Sequence, residues 1–261
     1  MNALISNSII PVIRETFLRL RRDRIFLPAA VVGIGMLFLS GLASYWGIEE
    51  FYKILYDLGT TAFHLTGVVV AIFWGIKLIN DSKQEGSVEV QLAAPIRRTE
   101  WILGKFFGLS SALVLLGLIF LIGWQMIYWF YGMGMMGWQS VGIFASLSCS
   151  WLVMAAAAIL MATLSTQAVA LFVSFWLLVC GLIAQPILQS LAPDTPALIR
   201  AGITGFTAIW DLQYFNLAEY GPEKAALNLS QVLDRAAYAL ALVAGMLALA
   251  SLSFTRKDIH S

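Results

Sequence analysis

The chain has 261 residues, of which 60% are apolar and only 12% carry charge. A soluble domain of ordinary composition contains about 25% charged residues, so a water-exposed fold is excluded. The net charge of +1, with no basic stripe outside short loops, argues against a nucleic-acid partner. The apolar residues form blocks of roughly 20, the length that crosses a bilayer as a helix. The sequence therefore indicates an all-α, polytopic membrane protein.

Residues 1–24 are too charged to be a membrane span. One helical face is apolar and carries Ile10, Ile13, Phe17 and Leu20. The other face carries Glu15, Arg19 and Arg22. This pattern is typical of a helix lying along a membrane surface, and a solvated, partly ordered tail is the alternative. We predict that Arg14, Arg19 and Arg22 contact the membrane surface.

Six apolar blocks then predict six transmembrane helices in a single domain that covers residues 1–261. The predicted spans are residues 26–46, 59–79, 104–130, 139–163, 168–189 and 236–254. The longest polar stretch, 190–234, reads as amphipathic and not globular. Its larger apolar residues suit short helices in the membrane interface: Ile203, Phe206, Ile209, Trp210, Tyr214 and Phe215.

The distribution of basic residues predicts the orientation. With six spans, the two termini and the loop at 80–103 share one side, and that side collects 12 of the 16 Lys and Arg residues. The opposite side has only Lys53, Arg200, Lys224 and Arg235. Because basic residues concentrate in cytoplasmic loops, we expect both termini and this loop in the cytoplasm, with the chain in the cytoplasmic (inner) membrane.

The loop between the second and third spans has the most informative sequence. Gly86 interrupts the helix that continues from span two, and Ser87 is suited to cap a new short helix. Pro95 ends that short helix at Ala94 or before. Thr99 is then expected to cap span three. These signals predict a short amphipathic helix displayed to the cytoplasm.

Val88 and Leu92 lie four residues apart on one face of this short helix, and Glu85 and Glu89 share another. The apolar stripe needs a surface to cover it. A groove on a partner protein would do so, and so would packing against the N-terminal helix. The residues alone leave both possibilities open.

The same loop resembles the signature of ABC-2 type transporter permeases. The matching elements occur in order and spacing: Glu85-Gly86, the short helix Ser87–Ala94, Pro95, Arg97-Arg98 and Gly104-Lys105. The basic N-terminal helix, the six spans and the short basic tail Phe254-Thr255-Arg256-Lys257-Asp258 agree with this resemblance, which covers essentially the whole chain.

The resemblance implies a permease that works with a separate ATP-binding cassette ATPase and pairs with a second permease copy. The short helix would be the coupling element. The implied ATPase contacts are Glu85, Gly86, Val88, Glu89, Leu92, Pro95, Arg97 and Arg98. For Arg97 and Arg98, anchoring on the cytoplasmic side of the membrane is an equal alternative.

We expect ATP and Mg to bind the partner subunit, because the sequence contains no Gly-x-x-x-x-Gly-Lys-Ser/Thr phosphate loop. We therefore expect this chain to bind no cofactor and to have no catalytic residues. The main hypothesis is that it is the non-catalytic subunit of an exporter. A scaffold or signalling subunit that transports nothing is the alternative.

Few features inside the predicted spans point to a substrate. We interpret His64 as a histidine that packs between helices. Lys77 is expected to extend its ammonium group toward the membrane surface. Gln125 and Gln185 are expected to form hydrogen bonds between helices. Three methionines lie together in one short loop: Met133, Met135 and Met136. Thioether ligands suit Cu(I), and some permeases of the resembled family assist copper-enzyme maturation, although a flexible apolar loop explains the cluster more simply.

Overall fold

A computed structural model describes residues 2–24, 26–44, 51–84, 97–132, 134–192, 195–217 and 227–256. These residues form eight α-helices and one short 3₁₀-helix, and no strand occurs among them. The α-helices are α1 (Asn2–Arg21), α2 (Phe26–Ser44), α3 (Phe51–Gln84), α4 (Arg98–Phe130), α5 (Trp138–Leu164), α6 (Gln167–Ser190), α7 (Ala197–Ile209) and α8 (Leu229–Arg256). The 3₁₀-helix is Gln213–Phe215. The predicted all-helical class is confirmed.

Five helices of the described chain are long and apolar enough to cross a membrane: α3, α4, α5, α6 and α8. The sixth candidate is the sharply bent pair α1 and α2, if the two are counted as one span. The structure thus gives five to six spans, and the predicted count of six, with its exact placements, stays a prediction.

Helices α3 and α5 form the centre of the bundle. On α3, Phe63 packs its ring 4.7 Å from that of Phe144 and 4.4 Å from that of Trp151. A Cβ atom at Gly67 would lie only 1.8 Å from Cε2 of Trp151, so only a glycine lets the indole lie against α3. In contrast, α6 and α8 bury little of their apolar surface and leave the rest to face lipid or another chain.

One end of the bundle carries most of the described basic residues, and we call it the basic end. It contains α1, the end of α3, the start of α4 and the end of α8. Lys83 on α3 donates a hydrogen bond of 2.6 Å to the carbonyl oxygen of Ala162 near the end of α5. Arg98 at the start of α4 donates one of 3.1 Å to the carbonyl oxygen of Phe254 on α8.

At the opposite end, helix α7 has no buried residue, whereas the segment that follows it enters the protein. Trp210 and Phe215 are buried, so their prediction as membrane-interface residues is wrong. The indole Nε1 of Trp210 donates to the carbonyl oxygen of Leu177 at 2.8 Å, and Ser146 donates to that of Phe215 at 2.8 Å. These hydrogen bonds compensate for the burial of polar atoms in the segment that connects α7 to α8.

Asp211 lies in this buried segment, outside the spanning helices. Burial raises the pKa of its carboxyl group above the usual 3.8, and hydrogen bonds from the backbone N–H groups of Tyr214 and Gln213 oppose that rise. The hydroxyl of Tyr238 accepts from the backbone N–H of Asp211 at 3.1 Å and donates to the carbonyl oxygen of Ile209 at 3.0 Å. The segment is therefore held to α8 by a polar contact.

Candidate coupling site at the basic end

The predicted ATPase contacts divide into two groups. Six of them lie outside the described residues: Glu85, Gly86, Val88, Glu89, Leu92 and Pro95. Arg97 and Arg98 are described, as is the helix that leads into the segment and reaches Gln84. The structure therefore defines the two anchors between which residues 85–96 run.

The upstream anchor is the end of α3, which two ion pairs join to α1 and to the turn that follows α1. Arg19 donates to the carboxylate of Asp81 at 3.2 Å, and Lys77 donates to that of Asp23. The Asp23 side chain is only 9% exposed, whereas that of Lys77 is 38% exposed. Both pairs are part-buried, so water screens them less than it would screen a fully exposed pair.

The spacing of these four residues explains their pairing. Arg19 lies in the last turn of α1 and Asp23 in the turn that follows this helix, whereas Lys77 and Asp81 are four apart on one face of α3. Both sequences place the basic residue first. The two segments run antiparallel, so each basic residue meets an acidic one. Snorkelling of Lys77 toward the membrane surface stays a prediction, and its ammonium group is paired with Asp23.

The downstream anchor is the first turn of α4. Arg97 has extended backbone geometry and precedes the helix. Its backbone N–H donates to the Glu100 carboxylate at 3.1 Å, and a carboxylate in the first turn also suits the positive end of a helix dipole. The prediction that Thr99 caps this helix is wrong, because the helix already begins at Arg98 and leaves Thr99 inside its first turn.

Arg97 and Arg98, which the sequence treats alike, have different environments. The Arg97 side chain is exposed, whereas Arg98 is half-buried and donates to the carbonyl oxygen of Phe254. The Phe254 ring stacks on Trp101, with the ring centroids 5.3 Å apart. Buried Lys105 lies on the same α4 face, with its Nζ 5.4 Å from the Trp101 ring centroid. Arg98 therefore joins α4 to α8, while Arg97 is accessible to a partner.

Another face of α4 receives α1. A Cβ atom at Gly104 would lie 2.8 Å from Cγ1 of Val12, and one at Gly108 would lie 2.5 Å from Cβ of Thr16. Both distances are shorter than ordinary carbon contacts, so the two glycines allow an approach that side chains would prevent. The Gly-x-x-x-Gly pattern of α4 is thus a packing surface for α1.

The buried stripe of α1 contains Val12, Thr16 and Leu20, whereas Ile10 is exposed. Of the residues predicted at the membrane surface, Arg14 and Arg22 have exposed side chains. Arg19 is 31% exposed and is bound to Asp81. Contact of these arginines with lipid stays a prediction.

The remaining candidate polar residues do not form a chemical site in the described part of the chain. His64 is buried within α3, and no hydrogen-bond partner for its Nε2 occurs among the described residues. Gln125 holds the methionine loop through its side-chain amide, donating to Gly134 at 3.0 Å and accepting from Met136 at 2.9 Å. Gln185 is half-buried on α6.

The methionine loop gives little support to a copper site. Met135 is 81% exposed, whereas Met136 packs against the core. Met133 lies outside the described residues. No group of three or more His, Cys, Asp or Glu suited to a metal ion occurs in the described part of the chain. Metal binding by these methionines therefore stays a prediction without support from the geometry.

Sequence reasoning found the loop but missed how it is anchored. The i, i+4 charge spacing of Lys77 and Asp81 on α3 was a readable signal for the ion pairs. The contact between Arg98 and Phe254 joins residues that are 156 positions apart, and no local pattern announces it.

The profile of one protein family matches this chain, and its description is ABC-2 family transporter protein. The match covers residues 44–259, from the end of α2 to the basic tail. It includes both anchors and all of residues 85–96. No curated protein matches the chain.

Proposed function

This chain belongs to the ABC-2 family of transporter proteins, and we propose that it is the permease subunit of an exporter driven by ATP that a separate subunit hydrolyses. Permeases of the family typically dimerise and work with an ATPase subunit. The substrate would cross the cytoplasmic membrane through the assembly. In this proposal, the ATPase binds ATP and Mg. This chain supplies the path through the membrane and a docking segment for the ATPase, residues 85–96.

The observation that carries the proposal is the anchoring of residues 85–96 at both ends. On one side, two ion pairs join α3 to α1 and the turn that follows it, and Lys83 joins α3 to α5. On the other side, α4 is joined to α8 through Arg98 and packs against α1 through Gly104 and Gly108. A force applied to the segment would therefore reach α3 and α4 directly and, through these contacts, α1, α5 and α8.

The orientation follows from charge. The basic end faces the cytoplasm in this proposal, because the described Lys and Arg residues concentrate there and basic residues favour that side. ATP is available on the same side. The exposed guanidinium of Arg97 is then free to pair with an acidic residue of the ATPase, while Arg98 maintains the helix that transmits the motion.

The transport step would be a rearrangement of packed helices. Nucleotide-driven closure of the ATPase moves residues 85–96, and the attached ends of α3 and α4 move with them. Interlocked cores switch between discrete arrangements and do not deform continuously, so the aromatic contacts of α3 with α5 would carry the motion across the membrane. The largely unburied faces of α6 and α8 offer surface for a second permease chain.

Affinity purification in mild detergent tests the proposal. The tagged wild-type chain is expected to recover an ATPase subunit with a phosphate loop and a second permease chain, both identified by mass spectrometry. A charge on the apolar stripe of the docking segment, Val88→Asp, is expected to reduce recovery of the ATPase by tenfold or more while the chain still inserts in the membrane. Glu85→Arg is expected to act in the same direction.

The matched control is Leu198→Asp on α7, at the opposite end, where the native side chain is 86% exposed. This variant should recover the ATPase as the wild type does. Equal recovery with Val88→Asp, or a fully active assembly that contains no ATPase, would contradict the proposal.

A further inference from the structure

An open groove of about 630 Å³ lies beside the contact between α1 and α4. Its wall on α1 is formed by Ile13 and Phe17, and its wall on α4 extends from Phe107 to Leu118. Phe107 lies nine residues from the start of α4 at the basic end and Leu118 twelve residues before the end of the helix, so the groove begins near the basic end. The close approach of α1 at Gly104 and Gly108 fixes the relative position of the two walls.

The interior of the groove is apolar, although it contains two serines. Ser110 donates its hydroxyl hydrogen to the carbonyl oxygen of Phe106 at 2.9 Å, and Ser111 donates to that of Phe107 at 2.8 Å. Each hydroxyl thus uses its one donor within α4. The groove suits a hydrocarbon chain.

Charge appears at the α1 rim of the groove. Arg14 precedes Phe17 by three residues and Arg21 follows it by four, so both lie on the helix face that continues from the lining residues. Their side chains are exposed, and no ion pair or hydrogen bond joins either of them to another residue in the described part of the chain. Two exposed guanidinium groups therefore continue the α1 side of an apolar groove.

We propose that this groove binds an anionic phospholipid of the leaflet at the basic end. An acyl chain lies along Ile13, Phe17 and the facing residues of α4, and Arg14 and Arg21 bind the phosphate-bearing headgroup. A guanidinium forms charge-assisted, often bidentate, hydrogen bonds with phosphate oxygens. The lipid would fasten α1 to α4 from the bilayer side, as the glycine contacts do from the protein side.

Charge complementarity favours a lipid over a helix of a second chain. An apolar transmembrane helix in the groove would cover the rim arginines without offering them an acceptor, and burying an unpaired charge is costly. An anionic lipid fills the groove and satisfies the charges together. The inference rests on the basic end lying in a leaflet that contains such lipids, and it is independent of any ATPase.

Native mass spectrometry of the purified full chain tests the site. The probes are phosphatidylglycerol and phosphatidylcholine with the same palmitoyl and oleoyl chains, added in equal amounts. The wild-type chain is expected to retain phosphatidylglycerol in preference. A basic residue near a membrane surface strengthens anionic-lipid binding about fivefold, so Arg14→Gln with Arg21→Gln should weaken it by roughly 25-fold.

Two further variants separate the headgroup contact from the chain contact. Arg200→Gln with Arg235→Gln removes the same charge at the opposite end of the bundle and should leave the preference unchanged. Val114→Trp fills the groove and should reduce retention of both lipids, whereas Leu240→Trp, on the exposed face of α8, should reduce neither. Melting curves in detergent verify that each variant is folded.

Equal retention of the two lipids by the wild type would overturn the proposal. So would equal loss of phosphatidylglycerol in the two double arginine variants, because net charge alone would then explain the binding. Since the measurement contains no ATPase and no transport, its failure would leave the permease proposal untouched.

Discussion

Gly108→Ala should separate α1 from α4 and destabilise the basic end. The added Cβ would lie 2.5 Å from Cβ of Thr16 and 2.9 Å from the backbone oxygen of Ile13. Carbon atoms in contact prefer about 3.5–4.0 Å, so α1 must retreat by about 1 Å. A rotamer change cannot relieve this clash, because one of the opposing atoms belongs to the backbone.

The magnitude follows from known costs of overpacking. An added methyl group in a packed interface typically costs about 1–3 kcal/mol, and replacement of a helical glycine by alanine returns up to about 1 kcal/mol. The matched control is Gly245→Ala on α8, where no atom lies within 4 Å of the new Cβ. The two variants share the gain in helix propensity, so their difference isolates the cost of overpacking.

Thermal unfolding in detergent, followed by the fluorescence of the nine tryptophans, measures this difference. At about 2–4 °C per kcal/mol for a chain of this size, Gly108→Ala should melt roughly 2–12 °C below Gly245→Ala. Both must be heated at one rate, because membrane proteins often unfold irreversibly. Equal melting temperatures would refute the close packing of α1 on α4.

Three other sets of substitutions test separate parts of the account. Arg97→Glu should reduce ATPase recovery without changing the melting temperature. Arg98→Ala should lower the melting temperature, because it removes a charge-assisted hydrogen bond worth about 1.5–3 kcal/mol. Identical behaviour of the two variants would contradict their assigned roles. Lys77→Asp and Asp23→Lys, made singly and together, form a double-mutant cycle for the ion pair. This cycle should show a coupling energy between about 0.5 and 3 kcal/mol, and additive effects of the two changes would refute the ion pair. For Asp211, the folded state binds the proton more tightly than the unfolded state, so its contribution to stability falls as pH rises from the usual pKa of 3.8 through the raised one. Asp211→Asn should remove this pH dependence and should be more stable than the parent at neutral pH, as measured by melting temperature between pH 4 and 8; an unchanged pH profile would count against a raised pKa.

Long apolar blocks made the helices predictable from sequence, because a lipid environment leaves helices as the natural way to satisfy the backbone. Helices α5 and α6 run over Trp138–Leu164 and Gln167–Ser190, one residue beyond the predicted 139–163 and 168–189 at each end. Helix α4 begins at Arg98, six residues before the predicted 104. Its first turn is polar, and Glu100 in that turn accepts a hydrogen bond from the backbone N–H of Arg97. Hydropathy identifies the part of a helix inside lipid and misses the turns beyond it.

Long-range contacts were beyond the reach of sequence patterns. Trp210 and Phe215 looked like interface residues because the segment as a whole is amphipathic, yet Trp210 is buried against α6 and Phe215 against α5 and α8. Arg97 is exposed and Arg98 is hydrogen-bonded to Phe254, and this difference depends on where α8 ends in space. Periodicity gives the face of a helix and not the partner of that face.

The most direct test of the account asks what residues 85–96 touch. A photoreactive phenylalanine analogue introduced at Val88 or Leu92 should, on irradiation in intact cells, form a covalent product with an ATPase subunit that contains a phosphate loop. The same analogue at Leu198, on the opposite end, should form none. An absence of ATPase product at both Val88 and Leu92, while the Leu198 variant captures the ATPase, would contradict the assignment of this segment as the coupling element.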